Sequence, residues 1–559
     1  MLVFALMGLV SGSADAFTLP LIGDLRATFP GTTVESLQLV SAALVAAFFL
    51  VRAAVVVLQR YLQARVVNNA GARLASHLVR GYLAMPYVEH TRRNSAELVR
   101  NAFDSVQKLV AQVLRPAVEV AAELVLVLGL ALLLLIVSPL ATLIALAVLG
   151  PAVWLLLAIV QPRLKALGRE SQESRKGSLL AVQQGLAGFR DIRLLGREAE
   201  FARAFARQRG VMSRTQYLKS ALSELPRALI ETALVLVIVA VFITAILAGQ
   251  GAEAMLAVLG VFAYAGLRLQ TSLQKVVGGL NDMRFGQAVL DDLAVDREHV
   301  DELLAVQRRR HRERTDVTKL QEEIELRDVS FTYNPGAPSA LTDVNLRICK
   351  GEFVGICGPT GGGKSTLIDI LTGLLQPTSG EVRIDGQLLD PEPVWWHAQL
   401  GVVSQSVFLL DDTLRRNIAF GRPDDEIEEA RLERAVERAQ LRDVVAQLPE
   451  GLDTWVGERG IRLSGGQRQR VAVARALYRE PSVIVFDEGT SALDGVTEAA
   501  LVEALDELKS GRTLISVAHR ISTVRHADTI LVVEGGRITA QGSYDDLMER
   551  SALFRSLAQ

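Results

Sequence analysis

The apolar residues of the chain are concentrated in its first half, where they form six long runs. Each run is close to the roughly 20 residues that a helix needs to cross a bilayer. The runs are Leu2–Ile22, Leu37–Leu58, Val113–Val137, Pro139–Val160, Leu229–Leu247 and Met255–Val277. The pattern predicts an all-α transmembrane domain of six helices, and the shorter, alternating runs of the second half are typical of an α/β domain.

The first run lies at the amino end and could be a membrane helix or a signal peptide. No Lys or Arg precedes Leu2, although a signal peptide has a basic leader. We therefore favour a first membrane helix. Because this run starts abruptly at Met1, a short leading segment could be missing from the sequence.

The connections between the runs indicate their orientation. Ser138 and Pro139 alone separate the third run from the fourth, which predicts a tight hairpin. The gaps after the second and fourth runs are long, charged and helix-forming, with many arginines, among them Arg60, Arg65, Arg73, Arg80, Arg92, Arg93, Arg100, Arg163, Arg169, Arg175, Arg190, Arg193 and Arg197. Because basic residues favour the cytoplasmic side, both extensions and both chain ends should face the cytoplasm.

We divide the chain into a transmembrane domain at 1–300, a charged linker at 301–320 and an α/β domain at 321–559. The linker carries Arg308, Arg309, Arg310, Arg312 and Arg314. It could contact anionic lipid head groups or be a solvated helix.

Composition agrees with a membrane protein. Of 559 residues, 50% are apolar and only 5% aromatic, and the net charge of −2 gives no sign of nucleic-acid binding. The two cysteines, Cys349 and Cys357, lie in no metal-ligand pattern, and we interpret them as reduced thiols.

The first chemical motif in the second half of the chain is a phosphate-binding loop. The predicted strands Glu325–Tyr333 and Glu352–Cys357 precede it, and an apolar helix follows. The loop fits the G-x-x-x-x-G-K-[ST] pattern, in which glycines let main-chain N–H groups surround a phosphate. We expect Lys364 to reach the β- and γ-phosphates and Ser365 to bind Mg²⁺. The ATP-binding residues of this loop are Gly358, Thr360, Gly361, Gly362, Gly363, Lys364, Ser365 and Thr366.

A second motif, which is acidic, follows a predicted buried strand. The apolar run Val483–Phe486 ends in Asp487 and Glu488. Ligands bind at the carboxyl ends of strands in open α/β sheets. Asp487 is therefore a candidate for the Mg²⁺ shell, and Glu488 for polarising the attacking water.

The segment Leu463–Gln467 reads LSGGQ, the signature of ABC proteins, and the chain resembles an ABC transporter of the exporter type throughout. The resemblance implies the type I exporter (type IV) fold, ATP and Mg²⁺ as ligands, and further roles for five more positions. These are adenine stacking by Tyr333, Mg²⁺ sensing by Gln405, an X-loop at Val456–Gly460, a D-loop including Asp494 and a γ-phosphate contact from His519. In such proteins Ser464, Gly465, Gly466 and Gln467 cap the nucleotide of the opposite subunit.

One chain carries a single phosphate loop and a single signature, so the resemblance implies a dimer. Its motifs favour a homodimer, and a heterodimer with a degenerate partner remains open. The segments Tyr87–Asn101 and Phe189–Phe201 resemble the coupling segments that dock on nucleotide-binding domains.

Three arginines in or near the apolar runs are candidates for substrate binding: Arg52, Arg227 and Arg268. Guanidinium groups bind phosphate with paired hydrogen bonds, which suits a phosphate or pyrophosphate. Alternatively, they reach the membrane surface or pair with Asp15, Glu224 or Glu231.

Stretches such as FFLVRA, LPRALIE and GLRLQ resemble bacterial lipid-linked oligosaccharide flippases. That resemblance implies that the three arginines hold a lipid pyrophosphate and that the protein resides in the bacterial inner membrane, with its nucleotide-binding domain in the cytoplasm. The outer loop Gly23–Ser36 departs from that family, since it is too short for the family's external helix. A broad multidrug or lipid exporter, a peptide exporter and a non-transporting ABC ATPase stay open as alternatives.

Overall fold

The computed structural model describes residues 18–19, 23–24, 34–137, 139–247, 252–312, 319–334, 336–391, 393–487, 511–518 and 524–558. The chain forms two compact units. We call the first, Met1–Ala84 with Arg93–Ala305, the helical unit, and the second, Met85–Arg92 with Val306–Gln559, the sheet unit.

Helices, several of them long, build the helical unit. They are α1 (Val34–Leu83), α3 (Ser95–Arg100), α4 (Val106–Leu109), α5 (Arg115–Val137), α6 (Pro139–Ala187), α7 (Phe189–Leu195), α8 (Glu198–Leu247) and α9 (Ala252–Arg312), with α2 (Tyr87–Arg92) assigned to the sheet unit. The π-helical turns Asn101–Ser105 and Val110–Leu114 join α3, α4 and α5. Among the described residues, four stretches are long and apolar enough to span a membrane: Ala42–Leu83, Ser95–Ile136, Pro139–Ala187 and Glu198–Thr244.

The predicted runs from the second to the sixth lie in these long helices. α5 ends at Val137 and α6 begins at Pro139, which confirms the short connection between the third and fourth runs. The prediction for the end of the first run is wrong, because Thr18–Leu19 pairs as a short antiparallel strand, β1, with β2 (Gly23–Asp24). Proline at position 20 disfavours a helical conformation in the residue before it. The rest of that run lies outside the described residues.

Glycines allow close contacts between the helices of this unit. A β-carbon added at Gly168 in α6 would lie 2.1 Å from the carbonyl oxygen of Phe285 in α9. One added at Gly81 in α1 would lie 2.2 Å from the Val300 side chain, also in α9. Small residues permit such close packing between helices.

A buried carboxylate joins three parts of the helical unit. Asp296 in α9 accepts hydrogen bonds from the Tyr82 hydroxyl, from Arg93 Nη1 at 2.9 Å and from Asn101 Nδ2 at 2.9 Å. Burial acts to raise the pKa of Asp296, but these donors outweigh it and hold the pKa below its usual value. The carboxylate therefore stays ionised and ties α9 to α1 and to the chain after α2.

Two sheets form the framework of the sheet unit. Their strands are β3 (Glu323–Phe331), β4 (Leu341–Cys349), β5 (Phe353–Cys357), β6 (Ser379–Ile384), β7 (Gln387–Leu388), β8 (Leu400–Val403), β9 (Val483–Asp487), β10 (Thr513–Val517), β11 (Thr529–Glu534) and β12 (Arg537–Gly542). One sheet has the order β12–β11–β5–β10–β9–β8, parallel except for β12, and the other has the antiparallel order β4–β3–β6–β7.

Helices cover these sheets. They are α10 (Lys364–Leu371), α11 (Val394–His397), α12 (Leu414–Ile418), α13 (Glu429–Arg438), α14 (Arg442–Gln447), α15 (Gly465–Tyr478), α16 (Tyr544–Arg550) and α17 (Ala552–Ala558). Every residue of β5 and β10 is buried, as expected for central parallel strands. The two strands predicted before the phosphate loop are confirmed as β3 and β5, with bounds shifted by one or two residues. Cys357 is a buried thiol, and burial raises its pKa to about 11.

We predict that Gly168→Ala destabilises the helical unit. The added methyl group would collide with main chain rather than with a flexible side chain, and overpacking of this kind costs about 1–3 kcal/mol. Thermal unfolding of the detergent-solubilised protein measures the effect. Gly210→Ala in α8 is the control, since its β-carbon would meet nothing within 4 Å. Equal midpoints for the two variants would contradict the prediction.

Candidate functional site

The phosphate loop lies between β5 and α10, the strand–loop–helix arrangement expected from the sequence. Gly358 has a φ of 149°, and a β-carbon there would lie 2.0 Å from the carbonyl oxygen of Val533. Gly363 has a φ of 106° and precedes the first turn of α10. Glycine is required at both positions because L side chains rarely adopt these conformations. The loop therefore has the form that main-chain binding of a phosphate needs.

The side chains of the loop differ in exposure. Lys364 is buried, and its ammonium group donates hydrogen bonds to the carbonyl oxygens of Gly358 at 2.8 Å and Pro359 at 3.0 Å. These bonds hold the ammonium group at the centre of the loop. Ser365 is exposed at the beginning of α10, where a helix amino terminus favours anions, and Thr366 is buried.

Asp487 ends β9 at the same edge of the sheet as the loop. Val517 of β10 pairs with Ile356 of β5 on one side and with Asp487 on the other. Asp487 is therefore level with the end of β5, two strands away. Within the described residues no group of three or more His, Cys, Asp and Glu side chains could hold a metal ion. An arrangement of one carboxylate and one hydroxyl fits Mg²⁺, which is usually bound by few protein ligands together with substrate phosphates.

Asp369 is a residue of this site that the sequence reasoning missed. It lies on α10 four residues after Ser365, a spacing that puts two side chains on one face of a helix and could have revealed it. Burial, together with the negative charge of Asp487, raises the pKa of Asp369 to about 6. The site thus holds more negative charge than the sequence motifs indicate.

Tyr333, the predicted adenine-stacking residue, lies just after β3 and is 42% exposed. Its ring stands perpendicular to that of Phe331 at a centroid distance of 4.9 Å. Its hydroxyl lies 3.2 Å from Thr366 Oγ1. The structure therefore brings Tyr333 to the phosphate loop, with one part of the ring open to a ligand.

The signature sequence begins α15. The Ser464 Oγ accepts a hydrogen bond from Gln467 N at 3.2 Å, and Ser464 N donates to Gln467 Oε1 at 2.8 Å. This capping box fixes the start of the helix, so that Gly465 and Gly466 occupy its first turn. Ser464 is exposed, as its predicted role at the nucleotide of another chain requires.

A partly buried arginine joins the signature helix to the segment after Gln405. Arg475 of α15 donates to the carbonyl oxygens of Phe408 at 2.8 Å and Asn417 at 2.9 Å, and it lies over the Phe420 ring. Burial lowers the pKa of Arg475 to about 10, still well above neutrality. Gln405 itself is exposed, between β8 and α12.

Three predicted residues of the ATP site, Glu488, Asp494 and His519, lie outside the described residues. Glu488 directly follows Asp487, and His519 comes two residues after the end of β10. Their predicted roles stay predictions.

Helix α2, from the first predicted coupling segment, also contacts this site. Val88 packs against the hydrophobic core of the sheet unit, and Arg92 donates a hydrogen bond to the carbonyl oxygen of Tyr333. Burial, followed by the negative charges of Asp369 and Asp487, raises the pKa of Tyr87. The sequence pattern placed this segment near a nucleotide-binding domain but did not specify these contacts.

The three candidate arginines occupy the long helices of the helical unit. Arg52 is exposed in α1 and lies 5.6 Å from the centroid of the Phe49 ring. Arg227 in α8 is exposed, and Arg268 in α9 is partly buried. In the part of the chain that the structure describes, no acidic side chain forms a salt bridge with any of them. The predicted partner Asp15 lies outside that part.

A charged pair that the sequence reasoning missed also lies in these helices. Lys275 of α9 forms a salt bridge with Glu123 of α5, whose side chain is only 13% exposed. Each residue places a charge within a predicted apolar run, and that charge was the available signal. Because charges in membrane helices are rare, this pair belongs among the candidates for function.

Comparison with known proteins identifies the family. The family described as ABC transporter transmembrane region matches residues 1–278, and the family described as ABC transporter matches residues 341–491. The chain is 31% identical over 557 residues to the ATP-dependent lipid A-core flippase of Cupriavidus metallidurans, which covers 99% of this chain and 92% of that protein. The chain belongs to the ABC transporter family.

Other ABC proteins are similar over different lengths. The ATP-dependent lipid A-core flippase of Ralstonia nicotianae is 30% identical over 513 residues, 89% of this chain and 83% of that protein. An uncharacterized ABC transporter ATP-binding protein of Bacillus subtilis is 44% identical over 245 residues, 44% of this chain and 42% of that protein.

A solved structure shares the fold. A bacterial Atm1-family ABC exporter with ATP bound superposes with a TM-score of 0.78 at 24% identity, covering 100% of this chain and 95% of that one. The predicted fold class is confirmed, a helical transmembrane domain followed by an α/β ABC domain. The chain is thus a half-transporter that binds ATP and couples its hydrolysis to transport.

We predict that Asp369→Asn stabilises the nucleotide-free protein at pH 8 but not near pH 4. The folded-state pKa of about 6 exceeds the usual value of 3.8, so ionisation destabilises the fold as pH rises between these values. Since the carboxyl group is partly exposed, the free energy of unfolding at pH 8 should increase by about 1 kcal/mol. Thermal midpoints at the two pH values measure it, with the exposed Asp390→Asn as control. A gain that is equal at both pH values would argue against the assigned pKa.

Proposed function

We propose that this chain is one half of a dimeric ATP-driven flippase of the bacterial inner membrane. Its substrate is a lipid-linked or amphipathic molecule with an anionic head group, and a lipid-linked pyrophosphate oligosaccharide is the substrate that we favour. The observation that carries the proposal is the set of three arginines in the long helices, without salt bridges among the described residues. The flippase names of two relatives support the class of substrate.

The ATP site forms between two chains. The phosphate loop Gly358–Gly363 of one chain holds the phosphates, and the exposed start of α15 at Ser464 from the other chain caps the γ-phosphate. Each polypeptide supplies one copy of each element. Two copies of this chain therefore complete two sites, and we propose a homodimer.

Within each site, different residues have different roles in ATP hydrolysis. Lys364 stabilises negative charge on the β- and γ-phosphates, Glu488 polarises the attacking water, and His519 contacts the γ-phosphate. Ser365, Gln405 and Asp487 are the residues that would hold Mg²⁺, whose charge would neutralise the phosphate oxygens. Asp494 comes six residues after Glu488 in the sequence, and we propose that it contributes to the same site.

Two short helices couple ATP binding at the nucleotide-binding domains to the membrane helices. α2 belongs to the sheet unit, whereas α7 buries none of its residues and exposes Phe189, Leu194 and Leu195. We propose that α7 docks on a nucleotide-binding domain of the dimer through these apolar side chains. ATP then shifts the transporter to its outward-facing state because it binds the closed dimer more tightly.

We expect Glu488→Gln to bind ATP, to accumulate a closed dimer and to lose at least about 100-fold in hydrolysis, because the amide cannot accept a proton from water. Steady-state ATPase and size-exclusion chromatography with ATP measure the two effects. The control is Glu534→Gln, an exposed glutamate at the end of β11. Turnover close to that of the control would remove Glu488 from the mechanism.

We expect Arg52→Ala, Arg227→Ala and Arg268→Ala each to weaken substrate binding about ten-fold, the effect of losing one charged hydrogen bond. The measurement is ATPase stimulation in liposomes by a pyrophosphate-linked lipid and by a panel of hydrophobic drugs. Arg60→Ala, also exposed on α1, is the control. Stimulation by drugs that is indifferent to the three substitutions would instead support a multidrug exporter.

A further inference from the structure

An arginine of α2 binds the main chain at the proposed adenine site. Arg92 Nη2 donates a hydrogen bond to the carbonyl oxygen of Tyr333, across 241 positions of the sequence. Both residues belong to the sheet unit. Val88, one turn earlier in α2, packs against the core of that unit. The hydrogen bond is therefore supported by apolar packing of the same helix.

Tyr333 is held at three points. Arg92 binds its carbonyl oxygen, Phe331 contacts its ring edge-on, and its hydroxyl lies 3.2 Å from Thr366 Oγ1 of the phosphate loop. The residue follows the end of β3 in irregular chain, where β-ladder hydrogen bonds do not restrain it. Arg92 supplies a main-chain restraint at this position, and it comes from outside the nucleotide-binding sequence.

We propose that Arg92 is a positioning residue for recognition of the nucleotide base. By fixing the main chain of Tyr333, it holds the phenol ring in the orientation that stacks on adenine. A ring ordered in advance loses less conformational entropy when the ligand binds, which increases affinity. The inference rests on the proposed stacking role of Tyr333.

The same hydrogen bond makes α2 sensitive to the base. If docked α2 favours adenine binding, then adenine binding must favour docked α2 by the same factor. A ligand that fills only the phosphate loop, such as inorganic tripolyphosphate, has no contact with the base site and should not have this effect. Hydrogen exchange of Tyr87–Arg92 should therefore slow with ATP but not with tripolyphosphate.

The test compares Arg92→Ala, Tyr333→Ala and the double variant in the full-length protein. We expect Arg92→Ala to raise the Kd and KM for ATP about five- to ten-fold, as for loss of one hydrogen bond, with kcat changed less than about two-fold. Inhibition by tripolyphosphate should be unchanged. Because Arg92 acts through Tyr333, adding Arg92→Ala to Tyr333→Ala should have no further effect.

Two further variants exclude a general structural effect. Arg92→Lys retains a charged donor and should recover part of the affinity for ATP. His90→Ala alters an exposed residue of the same helix and should leave binding unchanged. Arg92 is itself exposed, so its truncation leaves no buried cavity.

Three results would overturn the inference. The fold-changes in the Kd for ATP caused by Arg92→Ala and Tyr333→Ala could multiply in the double variant. Alternatively, Arg92→Ala could weaken the binding of tripolyphosphate as much as the binding of ATP. In either case Arg92 does not act through the base. If Tyr333→Ala leaves ATP affinity unchanged, the stacking role of Tyr333 fails as well. None of these results bears on the transported substrate, which the liposome experiment tests separately.

Discussion

The nucleotide-binding domain depends on the close approach of two main-chain segments, the phosphate loop and the turn after β11. The carbonyl oxygen of Val533 occupies the space that a β-carbon at Gly358 would need, and Gly536 N donates to Gly362 O at 2.9 Å. This contact between backbones restrains the loop, and the Lys364 ammonium group adds hydrogen bonds to the carbonyl oxygens of Gly358 and Pro359. The orientation of α10, the central position of Lys364 and the contact of Thr366 with Tyr333 all follow from it.

In the transmembrane domain the corresponding constraint is the burial of charge. Asp296 is ionised in a buried position because three donors from other segments satisfy it. The network joins α1, α9 and the chain that follows α2. Glu123 and Lys275 form a second pair, nearer the apolar parts of α5 and α9. Hydrogen bonds and salt bridges between charged groups thus connect specific helices of this domain.

The two predicted coupling segments differ in the structure. α2 packs on the sheet unit and contacts the main chain at Tyr333, so its position is linked to the nucleotide site of its own chain. α7 exposes its apolar side chains, which leaves them available for docking in a dimer. The two helices are therefore suited to different tasks, one near the base and the other at an interface between chains.

Features that depend on local backbone preference and on the distribution of apolar residues could be predicted from the amino-acid sequence. These include the long helices after the first run, the buried strands β5 and β9, and the glycine loop between β5 and α10. The contacts between groups that are distant in the sequence could be read from the folded chain alone. Asp369 with Asp487, Glu123 with Lys275 and Arg92 with Tyr333 are such pairs. Spacing along the chain encodes which face a side chain occupies, whereas the distance between remote segments depends on how whole elements pack.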